Sequence, residues 1–426
     1  MRQNKGDLSL KILLATYWPI PHLGGVWNYM EQLKKKLEVL GHEVDVLGYD
    51  EININVYIVN ENRKIESEKI LPLLKAKMNP QNYPAIYANK LVEYTEFQRY
   101  VFELAAVYLG LEKYDIIHTQ DVISTACIQR VKPEKTALVA TLHGSVAHEI
   151  RHQLTTIHKS SNSYMARAYY DELEKTGATA ADVTIVANKW LKNILTTEFQ
   201  VPSDQIQVLH YGFDTENFIK KMKKKSPIVK PKDKKVIIFS GRLTDLKGVQ
   251  HLLEALSKLK KVRQDWVCWI VGSGDKLADL RIQSKVLKLQ DDILFFGKRD
   301  DVPYLLSISD IFVLPTLLEN QPLSLIEAQI AGKATIVSDV GGLPEMVEHR
   351  VTGILTPPGD SDMLSEQLEL LLKDDKLRKN LGMNAKKWGM THWSNEYGVK
   401  SLLEIYLKAI ANRENGENND SNHPIL

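Results

Sequence analysis

"KKVIIFSGRLTDLKGVQHLLEALSKLKKV", residues 234–262, decides the fold. It opens on a short apolar run, passes a turn bounded by Gly241 and Gly248, and continues with apolar residues at helical spacing. A short apolar run followed by a 3.6-residue period reads as a buried strand feeding a helix. The unit repeats on both sides. Downstream, "DWVCWIVGSG" (265–274), "ILFFG" (293–297), "DIFVLPT" (310–316), "ATIVSD" (334–339) and "TGILTP" (352–357) read as further strands. Upstream, "LKILLAT" (10–16) precedes the helical "VWNYMEQLKKKLEVLG" (26–41), and "HEVDVLGY", "YDIIHT", "ALVATLHG" and "ADVTIVAN" follow. Strand–helix alternation of this kind implies doubly wound parallel sheets.

The alternation restarts after "IKKMKKKSPIVKPKDKK" (219–235), a stretch rich in Lys and Pro and without periodicity. The expected class is therefore α/β with two Rossmann-like doubly wound domains facing across a cleft. The expected boundaries are 1–210 for an acceptor-side domain and 211–392 for a nucleotide-sugar domain. A helix at 393–411 is expected to pack back on the first domain, and a disordered tail to occupy 412–426. Residues 51–85 read as irregular. Ligands of open parallel sheets bind beyond the carboxyl ends of the strands, so the residues there carry the functional reading.

Bulk composition narrows the classes. The chain has 426 residues, 44% hydrophobic and 25% charged, which fits a soluble globular protein of two domains. A net charge of +2 gives no reason to expect nucleic acid as a partner. Basic clusters at Lys34–Lys36 and Lys220–Lys225 leave peripheral contact with anionic lipid open. Cys127 and Cys268 lie far apart in apolar stretches and read as reduced core residues of a cytoplasmic protein. The opening segment reads as a first buried strand rather than a signal peptide. With no run of about 18 apolar residues, no membrane span is expected.

Four places carry chemistry. Gly24 and Gly25 precede a helix and let the backbone approach an anion. In "SGRLTDLKG", Arg242 and Lys247 stand either side of a turn, as two cations that suit a diphosphate. In "PTLLENQPLSLIEAQ", Glu319 ends a strand, Pro322 starts a helix, and Glu327 lies within it. The amides of Leu323 and Ser324 would be open helix-start donors for phosphate oxygens. Carboxylates accept hydrogen bonds from paired sugar hydroxyls. Phosphate held by amides and cations, beside hydroxyls held by carboxylates, describes a nucleotide-sugar pocket. The fourth place, "HEIRHQLTTIH" (148–158), fits H-E-x-x-H through His148, Glu149 and His152, with His158 at the third-histidine position of a longer zinc-protease pattern. Thr155 stands where that pattern has Gly, which weighs against a metalloprotease.

Taken together, these segments resemble the retaining glycosyltransferases of family 4, with the GT-B fold. Glu319 and Glu327 match the family's Glu–seven residues–Glu motif. "SGRLTDLKG" matches its diphosphate segment, "LGG" (23–25) its glycine loop, "TLHG" (141–144) its histidine-bearing strand, and "YGFDTENF" (211–218) its interdomain segment. The wording around residues 16–33 and 93–100 is similar to bacterial spore-coat or cell-envelope members. Asn320 stands where the family has Gly, and Tyr211 where it has Asn.

The resemblance implies transfer of a hexose from a nucleoside diphosphate sugar, with UDP the commonest carrier, to a saccharide, lipid-linked or small-molecule acceptor. It implies that Arg242, Lys247 and the start at Leu323 and Ser324 hold the diphosphate. Glu319 would hold donor-sugar hydroxyls, Glu327 the ribose, and His143 would lie by the donor sugar. Backbone near Lys298 and Arg299 would meet the base. No cofactor and no metal are expected beyond the nucleotide-sugar co-substrate. The expected location is cytoplasmic, with peripheral association at the inner membrane face left open. A sugar phosphorylase or a nucleotide-sugar epimerase on the same fold is the alternative reaction, and the zinc protease the remote one.

Overall fold

The computed structural model describes residues 9–21, 25–59, 61, 63–156, 163–393 and 395–420. The chain divides into two units, Met1–Leu209 with Gly398–Leu426, and His210–Tyr397.

The first unit is built on an eight-stranded sheet. Its strands are β1 (Lys11–Pro19), β2 (Glu43–Tyr49), β3 (Asn55–Ile58), β4 (Lys64–Glu66), β5 (Ile116–Thr119), β6 (Ala137–Leu142), β7 (Val183–Val186) and β8 (Ile206–Val208). They lie in the order β4-β3-β2-β1-β5-β6-β7-β8. Pairing is parallel from β2 to β8 and antiparallel at β2–β3 and β3–β4. Successive side chains of β1 serve opposite faces, as strand pleating requires. Leu13 and Ala15 enter one apolar cluster, whereas Ile12 and Leu14 enter another.

The second of these faces is closed by the helix Asn395–Asp420, which contributes Leu402, Ile405, Tyr406 and Ala409. That spacing of three, one and three residues is a single helical stripe. The expected disordered tail needs correction over 412–420, where the helix continues to Asp420, whereas residues 421–426 lie outside the described residues. Its buried stripe nucleates the helix, and propagation then adds turns at little cost. Arg413 pins the extension through an ion pair of 2.6 Å to Asp182.

The irregular reading of 51–85 also needs correction. The segment holds β3, β4 and the helix Ser67–Lys77. Strands of four and three residues are too short to show a period. The turn from β2 into β3 is set instead by the Asp50 carboxylate, which accepts from the amides of Ile54 (2.8 Å) and Asn55 (3.2 Å).

The second unit has six strands, all parallel: β9 (Lys235–Ser240), β10 (Trp266–Val271), β11 (Ile293–Gly297), β12 (Ile311–Leu314), β13 (Ala334–Ser338) and β14 (Ile354–Thr356). Their order is β11-β10-β9-β12-β13-β14. Strands β10, β12 and β13 are buried along their whole length, so they read as continuous apolar runs rather than alternating ones. Both units are Rossmann-like. The order reverses between β9 and β12 in the second unit and between β1 and β5 in the first, which places a topological switch point in each.

Candidate functional site

In the second unit, the turn after β9 and the loop after β12 are fastened to each other at the switch point. Leu246 O accepts from Leu317 N (2.7 Å) and from Thr316 Oγ1 (2.8 Å). The turn between is a single 3-10 step, Asp245–Lys247, closed by Gly248 at φ +66°. A Cβ at Gly248 would lie 1.8 Å from Pro315 O, so only glycine permits this approach. Lys247 and Glu319, 72 residues apart in sequence, then meet in an ion pair between Nζ and Oε2. Their side chains are only 19% and 12% exposed, so the pair is poorly screened by solvent.

The loop carrying Glu319 is gripped from behind. Glu319 O accepts from Gly342 N (3.1 Å), and a Cβ at Gly341 (φ +63°) would lie 1.9 Å from that carbonyl. Asn320 N donates to Glu319 Oε1 at 3.3 Å, so the Asn that replaces the family's Gly leaves the turn formed.

Pro322 caps the helix Leu323–Ile330 without any side-chain acceptor. Its carbonyl accepts from Leu325 N (3.1 Å) and Ile326 N (3.3 Å). The amides of Leu323 and Ser324 find no acceptor among the described residues, and both residues are half-buried. Arg242, beyond β9, is exposed and makes no ion pair among the described residues. Two cations, two open amides and one carboxylate therefore surround the carboxyl end of the β9–β12 switch point. Positive groups and helix-start amides of this kind hold phosphate oxygens.

Glu327 lies one turn into the helix. Burial pushes its carboxyl up to about 7, against an opposing pull from Lys221. Arg299 is tied down through its side chain. Its guanidinium is engaged by Asp301 in two bonds of 2.6 and 2.7 Å and lies 5.6 Å from the Phe296 ring centre. Lys298 beside it is exposed.

The expected residues of the first unit are placed separately. Gly25 begins the helix Gly25–Val39, and Gly24 lies outside the described residues. His143 follows β6, and its Nε2 lies 3.0 Å from Gln120 Oε1. The Gln120 amide nitrogen points to His118 O (3.3 Å), so its oxygen faces the ring and His143 Nε2 carries the proton. Burial pushes His143 down to about 3, which makes it a neutral imidazole at physiological pH. The Tyr29 ring meets it edge-on at 5.1 Å. Behind them, His118 bonds Tyr406 OH (2.6 Å) and Thr141 Oγ1 (2.7 Å) and is likewise held neutral by burial.

"HEIRH" lies on the helix Val146–Thr156 and is built into a surface network. His148 Nε2 lies 3.0 Å from Glu198, and Arg151 joins Glu198 (2.8 Å) to Asp171 (2.9 Å). His158 lies outside the described residues. No three His, Cys, Asp or Glu among the described residues could hold a metal ion together.

Residues 23–217 match the family model described as Glycosyltransferase Family 4, and residues 220–388 match that described as Glycosyl transferases group 1. The chain belongs to the family 4 glycosyltransferases. It is 27% identical over 425 residues to the N-acetyl-alpha-D-glucosaminyl L-malate synthase of Bacillus anthracis, covering 96% of this chain and 100% of that one. It is also 27% identical over 316 residues to the Escherichia coli UDP-Gal:alpha-D-GlcNAc-diphosphoundecaprenol alpha-1,3-galactosyltransferase, covering 72% and 78%. Among solved structures it resembles Anabaena HepE in complex with UDP, with TM-score 0.65, 18% identity, and 94% and 100% coverage. That likeness is one of fold, and the fold of this glycosyltransferase is GT-B.

Sequence reading missed several residues around these sites. Gln120 and Asp121 directly follow β5, and the Asp before an apolar helix was a readable N-cap signal. Gln321 and Gln329 had no such signal, because a polar residue in a loop or helix looks solvent-facing until its partners are known.

Proposed function

We propose that this glycosyltransferase is a retaining hexosyltransferase that takes its sugar from a UDP-sugar. The observation that carries this reading is the Lys247–Glu319 pair at the switch point, beside the open amides of Leu323 and Ser324 and the exposed Arg242. A donor diphosphate draws Lys247, Arg242 and the two amides to its oxygens. Glu319 is then released to accept from the sugar hydroxyls, and Glu327 accepts from the ribose. Backbone near Lys298 and Arg299 meets the base. As the bond to the anomeric carbon breaks, negative charge grows on the leaving diphosphate, where the fixed cations and amides stabilise it. The acceptor hydroxyl attacks from the same face and passes its proton to the leaving phosphate, so no covalent nucleophile is assigned. His143, a neutral hydrogen-bonding group of the first unit, is suited to a sugar hydroxyl.

UDP is favoured because one relative's name specifies UDP-galactose and a structural neighbour was solved with UDP. The acceptor is a saccharide, a lipid-linked sugar or a small molecule, as the names of the two relatives suggest. A role in cell-surface or spore-coat glycan synthesis at the cytoplasmic membrane face fits a lipid-linked acceptor. No helix among the described residues is long and apolar enough to cross a membrane.

The test is a panel of UDP-, GDP- and ADP-sugars, read by thermal shift and by slow donor hydrolysis, with an arm containing inorganic phosphate. UDP-sugars are expected to stabilise the protein and to be hydrolysed. No response to any donor sinks the donor site, and sugar phosphate released with inorganic phosphate would mark a phosphorylase.

A further inference from the structure

The chain enters the second unit at His210 and leaves it at Tyr397. Both passages are hydrogen-bonded to the segment that carries the proposed donor groups. At the entry, Tyr211 N donates to Gln321 Oε1 at 3.0 Å. That bond fixes the orientation of the Gln321 amide, so its Nε2 is the donor to His210 Nδ1 at 3.3 Å. At the exit, Trp393 Nε1 donates to Gln329 Oε1 at 2.8 Å, and Gln329 Nε2 donates to Met346 O at 2.8 Å. The two passages also bond each other. Phe213 N donates to Trp393 O at 2.9 Å, and the His210 and Trp393 rings meet edge-on at 5.7 Å. Gln321 is 5% exposed and Gln329 fully buried, so neither is a loose surface amide.

Gln321 sits two residues after Glu319 and two before Leu323. From the Glu319–Pro322 turn its side chain reaches the entry passage at both ends, through Tyr211 N and His210 Nδ1. Buried amides with both ends bonded set a unique geometry, and losing one end leaves a buried partner unsatisfied. A small displacement here moves the Glu319 carboxylate and the open helix start together. Displacements of about 1 Å in positioning groups can cost on the order of a hundredfold in rate.

We propose that Gln321 is a positioning residue for the donor: by bonding Tyr211 and His210 it sets the turn that presents Glu319 and the amides of Leu323 and Ser324. The proposal rests on the reading of that turn as the donor site. It also gives the Tyr211 position a role through its backbone amide, which any residue but proline can fill.

The experiment compares the wild type with Q321M and Q321E. Methionine keeps the length and the burial but removes both bonds. Glutamate keeps an oxygen for Tyr211 N and loses the donor to His210. For each protein, UDP affinity is measured by calorimetry, kcat and KM by UDP-sugar hydrolysis, and folding by thermal melt. Q321M is expected to lower kcat/KM about tenfold or more per folded molecule, with Q321E recovering to within about threefold of wild type. A merely structural role would lower the melting temperature and leave kcat/KM of the folded protein unchanged, which would overturn the proposal. So would Q321E being as impaired as Q321M. Should Q321M not fold, Y211P, which removes the same amide, is expected to show the loss, and wild-type kcat/KM in that variant overturns the proposal. A wild-type protein that binds neither UDP nor any UDP-sugar removes the donor reading itself, an outcome distinct from an intact site indifferent to Gln321.

Discussion

The helices that follow the central strands begin differently in the two units, although the one after the edge strand β14 is capped by Asp360. In the first, each start after β5, β6 and β7 is stopped by a side chain. Asp121 accepts from Ser124 N (2.7 Å), Glu174 from Ala147 N (3.0 Å), and Asn188 from Leu191 N (2.9 Å). In the second, the helices after β9, β10, β12 and β13 begin at Gly248, Lys276, Pro322 and Gly342, and none has a side-chain cap. A capped start has its donors satisfied within the protein and little left to offer an anion, whereas an uncapped one keeps its amides and dipole available. The same parallel-sheet plan thus yields one unit suited to phosphate and one lined with neutral hydrogen-bonding groups. His143 and His118, both held uncharged by burial, belong to that second character.

This contrast can be broken most sharply at Lys247. Lys247→Ala should lower turnover about a hundredfold, about 2.7 kcal/mol, because a group facing leaving-group charge is lost. The protein should still fold, with a lowered melting temperature because Glu319 loses its partner. Near-normal turnover would mean that the uncapped unit does not act through its cations.

An effect of similar size should fall on stability, in the capped unit. Asp121 also accepts from Thr16 Oγ1 (2.9 Å) and Tyr17 N (2.8 Å). Asp121→Ala removes the cap and leaves two buried donors unpaired, which should cost on the order of 3 kcal/mol in urea unfolding. Nucleotide affinity of the folded fraction should be unchanged. A variant as stable as wild type would show that the cap is dispensable there.

The smallest effect concerns pH. With Glu327 pushed up to about 7, its carboxyl is half protonated near neutrality. A ribose that donates to the carboxylate should bind better as pH rises from about 6 to about 8, by severalfold. Folding linkage has the opposite sign. A raised carboxyl favours the protonated folded state, so this group's contribution to stability is lost as pH rises through about 7. Glu327→Gln should flatten the binding profile, and an unchanged slope in that variant would assign the titration to another group.

Much of this was legible from the chain alone, for local reasons. The strands of both units are short apolar runs ahead of helical periods, and that pattern depends only on neighbouring residues. Arg242, Lys247, Glu319 and Glu327 could be singled out because charged residues directly after or near strand ends are visible in one dimension. Where reading failed, the deciding contact was distant or the segment too short. Strands β3 and β4 have no period to read and are held by pairing, β3 to β2 and β4 to β3. The final helix was cut short because residues after Ala411 are rich in Asn and Gly, yet the helix packed on the first sheet through Ile410 continues to Asp420.

The sequence by itself determined two α/β units, the family, and the residue types that a phosphate and a sugar need. Only the tertiary structure decided which of them meet. Strand order set the two switch points, and the Lys247–Glu319 pair joins residues 72 apart. The bond from Tyr211 to Gln321 spans 110 residues. Local patterns follow from backbone geometry and neighbouring side chains. A pairing across such separations exists only once the sheet has brought two loops to the same edge.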